Sequence, residues 1–410
     1  MVNGLHALAA KTRSLTLTAA VLLALCAVAG RPMAADRLRQ VPPPAGAGSG
    51  MYALASGDGD ATYLSWLEPQ PGNVHALKFA VWRNDAWSPA REIARSDNWF
   101  INWADHPSVV PLPNGALVAH WLANNGGREG NYGYGFRIAL STDQGTSWRE
   151  VYAGGTDNLH GYSGFVTLMP TADGFTAVYL GPPGKKTAAT EADHTMTLSA
   201  IRFDARGRVL GEDVVDGGTC SCCSTSMVMT AAGPLAAYRD RAPGEIRDIS
   251  VSHLQRGGWT EPHSVQPDGW AINACPTNGP SLAARGSQVA VAWFTAAANR
   301  PTMKFAFSTD AGLTFKTAGV IDAAKPVGWP ATVLLDDGSA AVSWLANVGG
   351  GGEIRVRRIR PDGRLGTPVT VAEVTAGRST GIPQMVRTSA GLLLAWRTDR
   401  VQAAVVPVPD

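Results

Sequence analysis

Four cysteines carry the most distinctive chemistry available to this chain. Cys220, Cys222 and Cys223 fall within four residues of one another, and Cys275 follows in the next segment. Packing alone does not require such a density of thiols, so the cluster predicts either a covalent cross-link or a chemical site. Thiolates combined with imidazole suit copper or zinc, and a metal site is therefore one interpretation.

Two disulfides are the other interpretation of the cluster. Because Cys275 can pair with only one of the three neighbouring cysteines, the other two must then pair with each other. Adjacent Cys222 and Cys223 have Cα atoms about 3.8 Å apart, below the usual disulfide window. Cys220 with Cys223 across a turn is the easier pair, which leaves Cys222 for Cys275. The sequence leaves both interpretations open.

The elements that must position this cluster follow a repeat. An aromatic residue within a short apolar run recurs at intervals of 51 to 59 residues. Its seven positions are Trp66, Trp121, Tyr179, Tyr238, Trp293, Trp344 and Trp396. Alternating apolar runs separated by Gly, Asn, Asp and Pro at this period are typical of a β-propeller with four strands per blade. We predict an all-β propeller with seven blades, with six as the alternative.

Two turns within the repeat share a pattern of hydroxyl, carboxylate and glycine. They consist of Ser141, Asp143, Gly145 and Trp148, and of Ser308, Asp310, Gly312 and Phe315. Asp can hydrogen-bond the turn backbone and Gly can adopt positive φ, so a structural role is expected. The pattern resembles the Asp-box of the sialidase superfamily, Ser-x-Asp-x-Gly-x-Thr-Trp, with Ser147 in place of Thr in one copy and Phe315 in place of Trp in the other. Together with the repeat, this resemblance covers nearly the whole mature chain.

The resemblance implies glycoside hydrolysis. Sialidases hold a substrate carboxylate with three arginines and use a Tyr nucleophile, a Glu partner and an Asp acid/base. The candidates for these roles are Arg137, Arg239 and Arg397 as arginines, and Asp97 or Asp105 as the acid. The family's Phe/Tyr-Arg-Ile-Pro motif near the domain start is absent, and no Tyr follows Tyr238. A non-catalytic carbohydrate-binding protein is therefore predicted alongside a divergent hydrolase.

Counting back from each repeated aromatic residue locates the start of the innermost strand. Pro107, Pro276, Pro330 and Pro383 lie 13 to 17 residues upstream, and a strand's first residue tolerates proline because it need not donate to the ladder. Loops leading into these strands share one face of a propeller. We expect the cysteines to ring this mouth of the channel with the candidate ligand-binding residues Trp103, His106, His160, Tyr162, Trp270 and Trp329.

The N-terminal region predicts export. Residues 1–35 have the character of a signal peptide, with Lys11 and Arg13 before an apolar run from Leu15 to Ala29. Residues 36–49 form a Pro/Gly-rich leader that we expect to supply the missing outer strand of the last blade, and residues 50–410 form the propeller domain. No later apolar run approaches the ~20 residues that span a bilayer. We expect a periplasmic or secreted protein without a transmembrane segment after signal removal.

The charge distribution narrows the choice of partners. The net charge of the 410-residue chain is +2, with both signs spread along it, which excludes a nucleic-acid partner. A glycan is the expected ligand. A metal-binding or redox propeller with a Cys/His site at the channel mouth is the alternative, and a structural interaction scaffold is the third hypothesis.

Overall fold

The computed structural model describes residues 38–126, 133–156, 162–182 and 196–410. The region predicted as a signal peptide lies outside this description, and so does His160. The described strands form seven antiparallel sheets, and each sheet is made from consecutive strands except for the last one, which also includes an N-terminal strand. The fold is a seven-bladed β-propeller, which confirms the architecture predicted from the repeat.

The blades follow one another along the chain. Blade 1 contains Gly50–Ser56, Thr62–Gln70, Val74–Arg83, Ala86–Trp87 and Arg91–Ser96; blade 2 contains Ser108–Pro111, Leu117–Asn124, Tyr134–Ser141 and Arg149–Gly154. Blade 3 contains Gly164–Thr171, Gly174–Gly181, Met196–Asp204 and Val209–Thr219; blade 4 contains Ser226–Thr230, Gly233–Arg239, Ile249–Gln255, Gly258–Trp259 and His263–Gln266. Blade 5 contains Ser281–Arg285, Gln288–Thr295, Thr302–Ser308 and Gly319–Asp322; blade 6 contains Pro326–Leu334, Ala340–Val348, Gly351–Ile359 and Val369–Val374. Blade 7 contains Gln384–Thr388, Gly391–Arg397, Val401–Val406 and Arg39–Gln40.

Helical structure is confined to short turns in the part of the chain that the structure describes. The 3-10 helices are Asp58–Asp60, Ala297–Asn299 and Arg378–Thr380. None of the described helices has the length and apolar character needed to cross a bilayer. The last of the three lies in the loop that leads into the innermost strand of blade 7.

The ring is closed by strands from the two ends of the described chain. Arg39–Gln40 pairs antiparallel with Val401–Val406, with Arg39 opposite Val405. The backbone N–H of Val41 continues this ladder by donating to the carbonyl of Ala403 at 2.8 Å. Residues of the Pro/Gly-rich leader therefore form the outer strand of blade 7, which gives that blade its fourth strand.

The repeated aromatic residues occupy the core between blades. Trp66, Trp293 and Trp344 are at most 1% exposed, because each lies on a second strand with sheet on either side. The buried indole N–H groups donate hydrogen bonds to carboxylates. Trp293 donates to Asp268 at 2.7 Å and Trp344 donates to Asp322 at 2.8 Å. Burial of the ring and satisfaction of its one polar atom together explain why tryptophan suits this position.

The two Asp-box-like turns are held by their own side chains. Gly145 donates its N–H to Ser141 Oγ at 2.8 Å, and Ser147 donates its N–H to Asp143 Oδ1 at 2.9 Å. In the other copy, Gly312 donates to Ser308 Oγ at 2.9 Å. A hydrogen bond from the Ser147 hydroxyl lowers the pKa of Asp143 to about 2. These turns join third and fourth strands, so strand alternation puts them on the face opposite the interblade loops.

Candidate functional site

A cavity of about 430 Å³ lies on the propeller axis. It is lined by the innermost strands of all seven blades and by the residues leading into them. Each blade contributes at least one hydroxyl or carboxamide side chain to the lining: Ser56, Ser108, Thr167, Ser226, Ser281, Thr332 and Gln384. A polar lining of this kind can hydrogen-bond a hydroxylated ligand from every side.

Some of these hydroxyls also connect neighbouring blades. Ser226 Oγ accepts the N–H of Leu282 at 3.0 Å, and Ser281 Oγ accepts the N–H of Thr332 at 2.9 Å. Both serines use an acceptor lone pair for this contact and retain a hydroxyl proton to donate. Thr332 Oγ1 is buried and has no hydrogen-bond partner in the described parts of the chain. The lining therefore combines structural contacts with unused hydrogen-bonding capacity.

Asp105 is the acidic residue of the cavity lining. It is 2% exposed, and its Oδ2 accepts the N–H of Phe165 at 2.8 Å and the hydroxyl of Tyr134 at 3.3 Å. Burial raises the pKa of Asp105 to about 7. A carboxyl group in this state can hold or release a proton near neutral pH. Glycoside hydrolysis usually needs a pair of carboxylates, and the described lining contains no carboxylate besides Asp105.

His106 fastens the loop before blade 2 and is half-buried. Its Nδ1 lies 2.9 Å from the carbonyl oxygen of Tyr52, and its Nε2 lies 2.7 Å from that of Trp103. Burial lowers the pKa of His106, and the two carbonyls oppose that effect. Because both ring nitrogens face backbone carbonyls, neither is directed at a metal. The imidazole therefore does not support the predicted mixed Cys/His metal site.

Trp103 extends from the same loop across the channel mouth. Its ring meets that of Trp329, which belongs to blade 6, with 5.5 Å between centroids and 59° between planes. It also packs against hydrophobic clusters formed by blades 3 and 4 and by blades 6 and 7. The Arg378 guanidinium carbon lies 4.9 Å from the Trp103 ring centroid. Two indoles and one exposed cation thus meet at the mouth.

Arg378 is a site residue that the sequence did not single out. It is exposed, and its guanidinium has no hydrogen-bond or ion-pair partner among the residues that the structure describes. The sequence feature that could have pointed to Arg378 is its position between Gly377 and Gly381, in the loop before the innermost strand of blade 7. That signal is weak, because an exposed cation in a glycine-rich loop is common on protein surfaces.

Trp329 adopts a backbone conformation that is unusual for a bulky residue. Its φ is 57°, and φ at Met51 and Phe165 is 46° and 52°. Each of the three follows a glycine at a bulge where the innermost strand of its blade begins. Left-handed conformation costs roughly 1–2 kcal/mol for a non-glycine residue, and such strain is concentrated at functional sites. The mouth is therefore built from strained backbone in blades 1, 3 and 6.

The candidate arginines do not converge on the cavity. Arg239 is 1% exposed and donates to the carbonyls of Asn278, Arg247 and Phe294 at 2.8, 2.5 and 2.7 Å. Arg397 donates to the carbonyl of Ser49 at 3.1 Å. Both guanidiniums are engaged by backbone, so they are not free to bind a substrate carboxylate.

The remaining sequence candidates lie outside the cavity lining. Arg137 is on the third strand of blade 2, where its Nε is 3.5 Å from Glu150. Asp97 is exposed in the loop after blade 1. Trp270 is 6% exposed, and the Arg239 guanidinium carbon lies 4.8 Å from its ring centroid. Its ring face is therefore covered within the protein.

Tyr162 connects the mouth to the cysteine loop. Its ring stacks on Tyr134 with 5.0 Å between centroids, and Tyr134 stacks on Phe100 at 3.8 Å. The Tyr162 hydroxyl donates to the carbonyl of Ser221, and Tyr162 and Cys222 pack against the same hydrophobic cluster. Burial raises the pKa of Tyr162, so the phenol stays protonated and acts as a donor.

The cysteines form one thiol cluster at this mouth. The Sγ atoms of Cys220, Cys222 and Cys223 lie within 4.8 Å of one another, with 3.8 Å from Cys220 to Cys222 and 2.9 Å from Cys220 to Cys223. Cys275, from the loop before blade 5, contacts Cys222. Hydrogen bonds from Cys222 and Cys223 lower the pKa of Cys220, and a hydrogen bond from Cys222 lowers that of Cys275 to about 7. All four sulfurs are free thiols in this structure.

Comparison with known proteins supports the fold. No family model matches the chain, and no curated protein matches it. A polysaccharide lyase of family PL25, an ulvan lyase, is similar in structure with a TM-score of 0.58 at 11% identity, covering 90% of this chain and 97% of that one. The polysaccharide lyase Uly1 gives a TM-score of 0.51 at 9% identity, covering 87% and 89%. The Hadza microbial sialidase Hz136 gives 0.43 at 13% identity, covering 72% and 63%. At these identities the similarity to the two lyases supports the overall fold alone.

Proposed function

We propose that this protein is an exported, sialidase-like propeller that binds an acidic glycan at the channel mouth. The observation that carries the proposal is the exposed Arg378 guanidinium over Trp103, at the point where Trp103 meets Trp329. Two solved propellers with TM-scores of at least 0.51 are named as polysaccharide lyases, which adds support for a glycan ligand.

The chemistry of the mouth suits an acidic sugar. The C–H face of a pyranose ring packs against an indole, and Trp103 is half-exposed. A guanidinium binds a carboxylate or sulfate through paired N–H donors in one plane. The cavity hydroxyls offer hydrogen bonds to a sugar residue that enters the channel. These groups recognise a sugar by its apolar face, its acid group and its hydroxyls.

Binding rather than hydrolysis is the function that this geometry favours. The described lining has one carboxyl group, on Asp105, and no tyrosine. Arg239 and Arg397, candidates for the sialidase arginine cluster, are engaged by backbone carbonyls. The proposed ligand site is therefore built from residues other than the candidates that the sialidase resemblance implied.

Calorimetric titration against a glycan panel tests the proposal. The panel contains uronate-bearing, sialylated, sulfated and neutral oligosaccharides. We expect an acidic class to bind and Arg378→Ala to weaken it at least tenfold. Arg364→Ala is the matched control, because Arg364 is an exposed arginine on a loop that joins third and fourth strands, on the opposite face. Equal binding of neutral and acidic glycans would contradict the role of Arg378, and steady release of new sugar ends would contradict a non-catalytic function.

A further inference from the structure

We propose that Cys220, Cys222, Cys223 and Cys275 bind a single thiophilic metal ion, Zn²⁺ or Cu(I), between blades 4 and 5. The three clustered cysteines belong to the loop before blade 4, and Cys275 belongs to the loop before blade 5. The site is independent of glycan binding, because none of the four thiols lines the axial cavity.

The sulfurs of three cysteines lie close enough together to form part of one ligand set. A tetrahedral ion with metal–sulfur bonds of ~2.3 Å places its sulfurs about 3.8 Å apart, and Cys220 Sγ is 3.8 Å from Cys222 Sγ. Cys220 Sγ is 2.9 Å from Cys223 Sγ, so these two sulfurs must separate by about 0.9 Å to reach the same geometry. Cys222 Sγ lies within 4.8 Å of both Cys220 Sγ and Cys223 Sγ, and Cys275 approaches the cluster beside Cys222. A sulfur with two sulfur neighbours at this distance is placed to serve as one ligand of a shared site.

Buried cations beside the cluster are the second observation. Arg239 is 1% exposed, and in the described part of the chain its guanidinium contacts backbone carbonyls and no carboxylate. A buried charge without a counter-charge is costly. The Cys220 N–H donates to the carbonyl of Arg239 at 3.0 Å, so the cysteine loop lies directly beside the strand that carries this buried cation. A metal–thiolate centre there would supply negative charge near the guanidinium.

Arg247 contributes a second positive charge. It is 5% exposed, contacts Cys220 and donates to Glu245 at 2.5 Å. Arg247 therefore places a guanidinium beside the cluster while it remains paired with Glu245. Four thiolates around a divalent ion carry two net negative charges, which neighbouring guanidiniums would stabilise.

The surrounding backbone holds the ligand loops in place. The Cys220 N–H donates to the carbonyl of Arg239 at 3.0 Å. Asp248 accepts the N–H groups of Gly269 at 2.9 Å and Trp270 at 3.0 Å, which fixes the segment leading to Cys275. Preorganised ligands with supporting contacts are what a metal site requires.

The ligand type restricts the choice of metal. An all-sulfur set selects Zn²⁺ or Cu(I) over the oxygen-seeking ions Mg²⁺ and Ca²⁺. The described parts of the chain contain no other group of three or more metal-binding side chains gathered in this way. Cys220 and Cys223 are buried, while Cys275 is exposed. An ion can therefore reach the cluster from the Cys275 side.

Anaerobic titration of the reduced full-length protein tests the proposal. Zn²⁺ and Cu(I) are added separately in competition with a chromophoric chelator, and Co²⁺ provides thiolate-to-metal absorption. We expect one ion per chain, with Cys222→Ser weakening binding at least a hundredfold. Cys275→Ser should lower the Co²⁺ thiolate absorption while the circular dichroism spectrum stays unchanged, because Cys275 is exposed. Met229→Ala is the control, since Met229 is an exposed sulfur-bearing residue on the same blade, outside the cluster.

Thiol counting provides the opposing outcome. Metal analysis and mass spectrometry are applied to protein isolated without added reductant. Bound zinc or copper with four alkylatable thiols after chelation supports the site, and the metal recovered decides between the two ions. Two disulfides without metal, together with failure of the reduced protein to compete with the chelator, would overturn it. Neither result depends on whether a glycan binds.

Discussion

The ring of Trp103 meets the ring of Trp329 across the channel mouth, with 5.5 Å between centroids, although the two residues belong to blades 2 and 6. This contact spans the axis, so it ties together blades that are not neighbours in the ring. It also presents an indole surface beneath Arg378.

Trp103→Ala should weaken both ligand binding and the fold. We expect acidic-glycan affinity to fall more than tenfold and the free energy of unfolding to fall by about 2 kcal/mol, since a half-buried aromatic ring loses part of its contacts. Titration calorimetry and denaturant unfolding measure the two effects. Trp87→Ala is the control: Trp87 is half-buried in blade 1, beyond a loop on the opposite face. The Trp87→Ala variant should have a lower free energy of unfolding and an unchanged affinity for the glycan. Loss of affinity in both variants would contradict the placement of the site.

The pKa of Asp105 predicts a pH dependence of stability. Its folded value is raised to about 7 by burial, so between its unfolded value of about 4 and pH 7 the native state binds the extra proton. Stability therefore falls as pH rises through this window, by roughly 4 kcal/mol if the full shift is expressed. Asp105→Asn keeps an oxygen that can accept from Phe165 and Tyr134, and it should abolish this slope. Urea unfolding at several pH values measures it, and an unchanged slope in the variant would exclude Asp105 as its source.

Arg239 is predicted to stabilise the fold strongly. Arg239→Met leaves the carbonyls of Asn278, Arg247 and Phe294 without their donor. Each unsatisfied buried acceptor costs about 1–3 kcal/mol, so we expect the variant to lose at least ~3 kcal/mol. Arg364→Met, at an exposed arginine, should change stability by less than about 0.5 kcal/mol. Thermal unfolding compares the two, and similar melting temperatures would show that the Arg239 contacts contribute little.

The leader strand should be required for a stable ring. Removal of residues 1–41 deletes the strand paired with Val401–Val406 and the Val41 carbonyl that accepts the Trp87 indole N–H at 2.8 Å. We expect a lower melting temperature and greater protease sensitivity in blade 7, because its sheet gains an open edge. Removal of residues 1–35 alone is the control. Equal stability of the two truncated proteins would mean that the strand is dispensable.

The fold could be predicted from sequence because it depends on a repeated local pattern. Trp66, Trp293 and Trp344 recur at the blade period and are buried in equivalent places. The spacing from Pro107 also led to Trp103 as a mouth residue. The contact between Trp103 and Trp329 could not be predicted from the repeat, because it depends on the width of the channel and on the path of one loop.

The roles of the arginines depended on tertiary structure. Arg239 follows a strand aromatic, a position that equally suits an exposed or a ligand-binding charge. Its actual acceptors are carbonyls from elsewhere in blade 4 and from blade 5, and no sequence pattern marks them. Arg378 was missed for the opposite reason, because its surroundings in the chain are those of an ordinary loop. The four cysteines were grouped from sequence, since two equivalent interblade loops must lie side by side.

The strand pairing that closes the ring also constrains the order of folding. Arg39–Gln40 must wait for Val401–Val406, the last strand of the chain, before it can pair. Contacts of such sequence separation form slowly, because the loop-closure entropy is lost before the contact is gained. Until then the edge strand of blade 7 is available to pair with other chains. Aggregation during biosynthesis should therefore depend on how long the protein remains in this open-ring intermediate.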